Sequence, residues 1–147
     1  MNLEKLAEWI AEATSRGAVP VLAGRNGDMD TIGSAIALAS SNPGLLACGL
    51  HVGRLANRLC EELEAPFRKI SDKPSWPSKL GGIIIVDAAA ESQTGVTLPK
   101  GVPICVIDHH HTCEWTFGED DLEVRGNARS TTQMIFQYLN EYSPETL

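Results

Sequence analysis

Three short stretches of the sequence place acidic or imidazole side chains directly after an apolar run. The first contains Asp28 and Asp30, the second is Asp87, and the third is the Asp-His-His-His run at 108–111. Carboxylate and imidazole groups together suit divalent cations such as Mn²⁺, Mg²⁺, Fe²⁺ and Zn²⁺, and carboxylate-rich sites favour the harder ions. The sequence therefore indicates a metal-dependent site, provided that folding brings the three stretches together.

Each stretch also has an ordinary structural explanation when it is considered alone. Asp28 and Asp30 could begin a helix, where acidic side chains favour the helix dipole, and Asp87 could simply end a strand. The histidine run could lie in a solvated loop, and His111 is expected to do so. However, three of the four histidines fall in this one run. Together with the repetition of acidic residues after apolar runs, that clustering favours the functional interpretation.

The apolar pattern predicts the elements that would position these residues. Strands are expected at 18–23, 45–52, 81–86 and 101–107, with a short one within 115–123. Helices are expected at 2–15, 31–40, 54–64 and 128–142, the last with Asn127 as a cap. We interpret 67–80 as an extended connection and 92–101 as a loop or short helix.

This alternation of helices and strands predicts an α/β fold with a mostly parallel sheet flanked by helices on both faces. In such a sheet the carboxyl ends of the strands open on one edge, and ligands bind there. Asp28, Asp30, Asp87, His109 and His110 can therefore converge on one cleft although they are distant in sequence. Carboxylates that share a cleft repel each other, which is a physical reason to expect bound cations.

Composition limits the classes of function that are compatible with this chain. With 147 residues, 43% of them hydrophobic, residues 1–147 are expected to form a single domain. The formal net charge of −7 argues against a broad groove for long nucleic acid, which needs clustered Lys and Arg. No apolar run approaches the ~20 residues of a membrane helix and no signal-peptide core is present, so we expect a cytoplasmic protein without membrane contact. The four cysteines form no C-x-x-C pair, so neither a structural zinc nor a disulfide framework is expected.

The three stretches resemble motifs one to three of the DHH phosphoesterase superfamily. That superfamily includes RecJ-type nucleases, nanoRNA/pAp phosphatases of the oligoribonuclease type and manganese pyrophosphatases. The order of the motifs and their placement at strand ends match over roughly the whole chain. The matching residues are Asn26-Gly27-Asp28-Met29-Asp30 followed by Gly33-Ser34, then Val86-Asp87, then Asp108-His109-His110.

The resemblance implies a metal-binding role for four of these residues. Asp28 looks like a ligand of one metal ion and Asp30 like a ligand of a second. Asp87 resembles the carboxylate that bridges the two ions, and His109 resembles the metal ligand of the DHH motif. The implied cofactor is a divalent metal, with Mn²⁺ favoured and Mg²⁺ as the alternative.

The resemblance also implies catalytic and substrate-binding roles. His110 would face the substrate phosphate, where it would stabilise developing charge or donate a proton. Asp108 would fix the tautomer of a histidine from behind the site. Asn26, Gly33 and Ser34 would contact the substrate, the last two at a helix start whose backbone N–H groups favour anions.

The activity implied by the resemblance is phosphoester hydrolysis through attack by metal-bound hydroxide. The expected substrate is a small phosphorylated nucleotide or a short oligonucleotide. Two features depart from the family pattern. Gly24 stands where the family usually has a histidine ligand. Residues 1–147 also contain no counterpart of the family's fourth motif, an Asp after the last helix, or of its C-terminal substrate domain.

These departures keep two alternatives open. The chain could be a piece of a longer enzyme, or a catalytically degenerate domain that serves as a nucleotide-binding or protein-assembly module, as RecJ-like factors do in archaeal replication complexes. The degenerate alternative includes a protein partner or a homodimer. Pyrophosphate hydrolysis is a third, weaker alternative, because that chemistry depends on a complete metal cluster.

Overall fold

Six strands form one parallel sheet in the computed structural model, which describes residues 1–147. The strands are β1 (Val19–Ala23), β2 (Leu45–Gly49), β3 (Arg68–Lys69), β4 (Ile83–Val86), β5 (Ile104–Asp108) and β6 (Leu122–Arg125). The α-helices are α1 (Leu3–Arg16), α2 (Met29–Ala39), α3 (Arg54–Leu63) and α4 (Thr131–Tyr142). Short 3₁₀ turns lie at Glu91–Gln93 and Pro144–Thr146. None of the helices combines the length and apolar character needed to cross a bilayer.

The order of the strands explains where a ligand can bind. The sheet runs β3-β2-β1-β4-β5-β6, and every neighbouring pair is parallel. The order reverses between β1 and β4, which is the point where open α/β sheets bind ligands. Ala23 pairs with Val86, and Val86 pairs with Ile107, so the ends of the three central strands are level to within one residue. The loops that follow these strands therefore begin side by side.

One face of the sheet packs against all four helices. Alternate strand residues such as Val21, Ile84 and Ile107 share a single hydrophobic core with buried residues of α1, α2, α3 and α4. The alternation follows from the period of two in a strand. The short apolar runs on the strands are buried on both faces, as expected for a parallel sheet.

The opposite face is covered by irregular connections rather than by α-helices. Its buried strand residues include Ile83, Ile85 and Val106, and these pack against the connections that follow β3, β4 and β5. The indole N–H of Trp76 donates to the carbonyl of Thr97, and that of Trp115 donates to the carbonyl of Ala88, so each tryptophan links two of these connections by a hydrogen bond.

The predicted α/β class and parallel sheet are confirmed, and the placement of the flanking helices is the detail that differs. We expected helices on both faces, whereas the second face carries only the 3₁₀ turn at Glu91–Gln93. The connections on that face contain Pro74, Pro77, Pro99 and Pro103, which disfavour α-helix.

Several element boundaries also differ from the expectation. The segment 67–80 contains the two-residue strand β3, and β6 begins at Leu122, near the end of the range in which a strand was expected. The N-cap of α4 is Ser130 rather than Asn127, and its hydroxyl accepts a hydrogen bond from the backbone N–H of Gln133. A serine cap satisfies an N–H that would otherwise lack a partner.

Candidate active site

The loop after β1 positions the first acidic pair. Asp28 is the N-cap of α2, and its Oδ1 accepts a hydrogen bond of 2.9 Å from the N–H of Thr31. The Asn26 side chain accepts from the N–H of Asp28 at 3.3 Å. Gly27 has φ +60, and a Cβ at this position would lie 2.4 Å from the carbonyl oxygen of His51. Only glycine allows the loop to pass this close to the next connection.

Asp30, in the first turn of α2, joins that helix to the beginning of α4. Its carboxylate accepts hydrogen bonds from the N–H of Thr131 at 3.2 Å and from the N–H of Thr132 at 2.8 Å. The Thr132 hydroxyl donates a third bond of 2.6 Å. The side chain therefore satisfies N–H groups that have no partner inside α4. Asp30 is held in place by backbone and side-chain donors of a second element.

Asp87 follows β4 in a left-handed backbone conformation. Its φ is +62, which among residues with side chains is least unfavourable for Asp and Asn. Its N–H donates to the carbonyl of Ile107, and its Oδ1 accepts a hydrogen bond of 3.1 Å from the Thr131 hydroxyl. The turn directs a buried carboxylate toward the edge of the sheet.

His109 lies between two of these carboxylates. Its Nε2 is 3.5 Å from Oδ1 of Asp87 and 3.7 Å from Oδ2 of Asp30. Both distances exceed those of hydrogen bonds, so the three groups are close neighbours without being bonded to each other. Residues from the ends of β1, β4 and β5 therefore meet at one point.

His110 is oriented by Asp108, the last residue of β5. Its Nδ1 lies 2.5 Å from Oδ1 of Asp108, so the carboxylate fixes the tautomer in which Nδ1 carries the proton. Asp108 is only 1% exposed, and its other oxygen, Oδ2, is buried with no hydrogen-bond partner. The Arg125 guanidinium donates to the backbone carbonyl of His110 and fastens this loop to β6.

These side chains surround one polar cleft of ≈ 290 Å³ that has no hydrophobic lining residue. The lining residues are Gly24, Arg25, Asn26, Asp28, Asp30, Asp87, Gln93, His109 and His110. All four predicted metal ligands belong to this set, together with His110 and Asn26. A cleft lined in this way suits a small ligand that is charged or polar.

A scan against protein-family models matches residues 18–146 to the N-terminal domain of the DHH family. The chain belongs to the DHH family. The resemblance inferred from the three stretches is therefore confirmed, and the match includes every residue that was quoted for it.

Two solved structures share the fold of this chain. A Methanococcus jannaschii protein assigned to the family II inorganic pyrophosphatases matches 84% of this chain with a TM-score of 0.62 and 24% identity. An exopolyphosphatase-related protein from Bacteroides fragilis matches 96% with a TM-score of 0.58 and 13% identity. This chain covers only 38% and 43%, respectively, of the lengths of these two proteins. A search of curated proteins finds no match.

The carboxylates of the DHH domain differ in their electrostatic state. Burial raises the pKa of Asp87 to about 7, and the charges of Asp30 and Asp28 act in the same direction against the hydrogen bond from Thr131 and the charge of His110. Burial also raises the pKa of Asp30, but the hydrogen bonds from Thr132 and Thr131 together bring it below its ordinary value. Asp87 is thus the carboxylate whose charge most lacks compensation from the protein.

The donor set of the cleft fits a divalent cation. Asp87, His109 and His110 each offer a ligand atom, and these atoms lie within 4.8 Å of one another. One anionic oxygen donor with two imidazoles suits first-row divalent ions. A cation would also remove the repulsion that raises the pKa of Asp87.

Two predicted substrate-binding residues of the DHH domain are not brought to the cleft. Gly33 faces an apolar groove between α2 and α3, and Ser34 is fully buried with its hydroxyl 3.2 Å from that of Thr132. The reason is that α2 begins at Met29, two residues earlier than expected, which moves both positions into the second turn. His111 is exposed and, as expected, is not among the lining residues.

The sequence interpretation missed several residues that hold the site in place. Thr131 and Thr132 bond to two acidic side chains, and Arg125 supports the histidine loop. Gln93 lines the cleft, and its side-chain oxygen accepts from the N–H of Ala89 at 2.7 Å. The run of three hydroxyl residues at 130–132 before an apolar helix was a visible signal, because such residues favour helix starts.

Gly24 occupies a narrow position behind the acidic residues. Its N–H donates to the hydroxyl of Thr31 at 2.6 Å, and a Cβ here would lie 3.1 Å from the carbonyl oxygen of Asp87. A side chain at this position would require the loop after β4 to shift by a few tenths of an ångström. This packing favours glycine at position 24.

Proposed function

We propose that this DHH domain is the metal-binding part of a phosphohydrolase that cleaves phosphoesters of small nucleotides or short oligonucleotides. The observation that carries the proposal is the convergence of Asp28, Asp30, Asp87, His109 and His110 on one polar cleft. An acidic cleft in a chain with net charge −7 repels phosphate unless cations are present. Acidic ligands and a phosphate substrate are therefore compatible only in a metal-dependent reaction.

The proposed cation site uses His109 and the two carboxylates on either side of it, and leaves His110 for the substrate. Asp87, His109 and Asp30 would hold the ion, and Asp28 would contribute a further carboxylate from the same loop. Mn²⁺ is the proposed ion because it accepts mixed oxygen and imidazole ligands, with Mg²⁺ as the alternative. When bound, such ions lower the pKa of water and neutralise charge on a phosphoryl oxygen.

His110 is the proposed catalytic group of the protein itself. Asp108 engages Nδ1 of its ring, which leaves Nε2 for contact with the substrate. A histidine held in this way can donate a proton or a hydrogen bond to a phosphoryl oxygen. Asp108 would also stabilise the charged imidazolium, because its carboxylate is buried beside the ring.

The shape of the cleft supports recognition of phosphate rather than of a base. No lining residue is hydrophobic, and the lining contains no Phe, Tyr or Trp ring on which a nucleobase could stack. Arg25 is the one lysine or arginine among the lining residues and is a proposed contact for a phosphoryl oxygen. The remainder of a nucleotide would extend beyond the residues that line the cleft.

The alternative function is a DHH domain that binds a phosphorylated ligand without hydrolysing it. The specific observation in its favour is Gly24, which has no side chain to ligate a metal and little room for one. A site with fewer ligands holds its metal more weakly, so binding could persist where turnover does not.

Turnover and metal binding together distinguish the two functions. The purified chain is incubated with Mn²⁺ and pNP-TMP, pAp or a short RNA, and Mn²⁺ binding is measured separately by calorimetry. Asp87→Asn is the test variant and Lys100→Glu, an exposed change in the connection after β4, is the control. Turnover that Asp87→Asn abolishes and Lys100→Glu retains supports the hydrolase. Binding of metal and ligand without turnover supports the alternative. If the chain binds no Mn²⁺, or if Asp87→Asn binds it as tightly as wild type, both functions are excluded.

A further inference from the structure

Helix α3 exposes a row of three leucines on its outer surface. Leu55, Leu59 and Leu63 are 67%, 38% and 68% exposed, and they recur at every fourth position. Residues four apart on a helix lie on the same side, so the three side chains form one continuous ridge. The single fully buried residue of α3 is Ala56, which means that most of the helix's apolar surface faces outward.

An apolar groove continues this ridge toward α2. It has a volume of ≈ 220 Å³, and nine of its ten lining residues are hydrophobic. Leu59 and Leu63 form its outer wall, and Met29, itself partly exposed, closes it at the beginning of α2. The ridge and the groove together form an apolar patch, which we call the α3 patch. Contiguous apolar patches on a soluble domain commonly mark interaction surfaces.

A row of charged residues borders the leucine ridge on the other side. Arg54, Arg58 and Glu62 are exposed, again at every fourth position, and each precedes one of the leucines by one residue. None of the three takes part in an ion pair within the chain, whose four ion pairs all involve other residues. Arginine four residues before glutamate is also the less favourable order for a pair within one helix. These charges are therefore available to another molecule.

The sequence of α3 is complementary to itself when two copies of the helix run in opposite directions. With a two-fold axis beside Leu59, the Leu59 side chains of the two copies meet, and Leu55 of each copy meets Leu63 of the other. Residues on one flank of a helix then face the same flank of the second copy. Arg58 of each copy is offset by about 3 Å along the helix axis from Glu62 of the other copy, which is within reach of these long side chains. The two Arg58 side chains are offset from each other by the same distance, so the dimer contains two Arg58–Glu62 attractions against one Arg58–Arg58 repulsion. The pairing is isologous, as a closed dimer requires.

We propose that the α3 patch is the interface of a homodimer in which the two α3 helices pack antiparallel. The charge pattern favours a second copy as the occupant, because the dimer forms two Arg58–Glu62 pairs and only one Arg58–Arg58 contact. A contact centred on one ten-residue helix lies at the small end of protein interfaces, so a micromolar dissociation constant is expected. The proposal is independent of the proposed catalytic function, because none of these residues lines the cleft.

Charge reversal at the two partner positions tests the proposal. Sedimentation velocity of the 147-residue chain is measured from about 1 to 500 μM at low salt. We expect wild type and the control Lys100→Glu to convert from monomer to dimer as concentration rises. Arg58→Glu and Glu62→Arg, each alone, should dimerise at least tenfold more weakly, because like charges then meet. An equimolar mixture of the two variants should dimerise at least as strongly as wild type, since every charge on one copy then faces an opposite charge on the other.

Three outcomes would overturn the proposal. Wild type could remain monomeric over the whole concentration range, or the single variants could dimerise as strongly as wild type. The mixture could also fail to recover dimers while each variant alone is monomeric, which would exclude the antiparallel register. Circular dichroism of each variant, together with its thermal midpoint, verifies that the exposed substitutions leave the fold intact. Leu59→Lys provides a second test, since a buried lysine in the centre of the interface should abolish dimers at every concentration.

Discussion

The hydroxyl of Thr132 lies 2.6 Å from Oδ1 of Asp30 and connects the first turn of α4 to the first turn of α2. The two residues are 102 positions apart in the sequence. Because the backbone N–H groups of Thr131 and Thr132 bond to the same carboxylate, one acidic side chain both caps a helix and faces the cleft. The geometry of the candidate site therefore depends on how α4 packs against α2.

Replacement of Thr132 by valine should weaken metal binding although Thr132 is not a proposed metal ligand. The variant keeps the shape of the side chain but loses the hydroxyl bond to Asp30, which should lower the free energy of unfolding by about 1 kcal/mol. Mn²⁺ affinity should fall on the order of tenfold, because the carboxylate is less firmly oriented. Urea unfolding and calorimetric titration measure the two effects. Thr132→Ser, which keeps the hydroxyl, should resemble wild type, and equal Mn²⁺ affinity in Thr132→Val would contradict the argument.

Asp87→Asn should make the metal-free protein more stable at pH 8. The pKa of Asp87 is raised from its ordinary 3.8 to about 7, so the folded state binds this proton more tightly than the unfolded state. The contribution of Asp87 to the free energy of unfolding is therefore present at low pH and is lost as the pH rises from about 4 through 7. Asparagine removes the buried charge, and a gain on the order of 2 kcal/mol is expected at pH 8. Urea unfolding in EDTA at pH 5 and pH 8 measures the difference, which should be much smaller at pH 5.

Asp108→Asn should impair turnover while leaving substrate binding nearly unchanged. The amide can present an N–H to His110 instead of an oxygen, which favours the wrong tautomer of the ring. If His110 acts as proposed, kcat should fall by on the order of 10- to 100-fold with little change in KM. Steady-state kinetics with Mn²⁺ gives both constants. A variant that keeps full kcat would show that the Asp108–His110 contact serves only the fold.

The four cysteines should differ sharply in their reaction with a thiol reagent. Cys113 is exposed, whereas Cys48 and Cys105 are buried. Burial raises the pKa of Cys48 to about 12 and that of Cys105 still further, so neither forms thiolate at pH 8. Titration with DTNB at pH 8 should show one fast thiol, a slower one at the partly buried Cys60, and two more after unfolding. Cys113→Ser should remove the fast phase, and a fast phase that survives would disprove the assignment.

The positions of the site residues could be predicted because they depend on topology alone. Asp87 and His109 each follow an apolar strand, and parallel strands end on the same edge whatever the details of packing. Gly33 and Ser34 were misplaced because their location depended on the residue at which α2 begins. Asp28 turned out to be the N-cap, and a difference of two residues rotates a helical side chain from one side to the other.

The support of the site could not be predicted from the sequence. Thr131 bonds to Asp87 only because α4 returns from β6 to pack beside α2, and that docking depends on long-range contacts. Strand β3 was missed for a local reason, since two charged residues, Arg68 and Lys69, carry no hydrophobic pattern. The coverage of the second sheet face by irregular segments likewise depends on tertiary packing, to which each of the two tryptophans contributes one hydrogen bond to a backbone carbonyl.

The unequal support of the three carboxylates has an evolutionary consequence. Asp28 caps α2, and Asp30 accepts hydrogen bonds from the first two N–H groups of α4, so selection for folding alone would retain both residues. Asp87 lowers the stability of the metal-free fold, because its charge is buried close to those of Asp30 and Asp28. Asparagine could occupy the same backbone conformation and accept the same hydrogen bond from Thr131. A lineage that had abandoned metal chemistry would be free to lose Asp87 first. A bound cation would supply the compensating charge that Asp87 lacks from the protein itself.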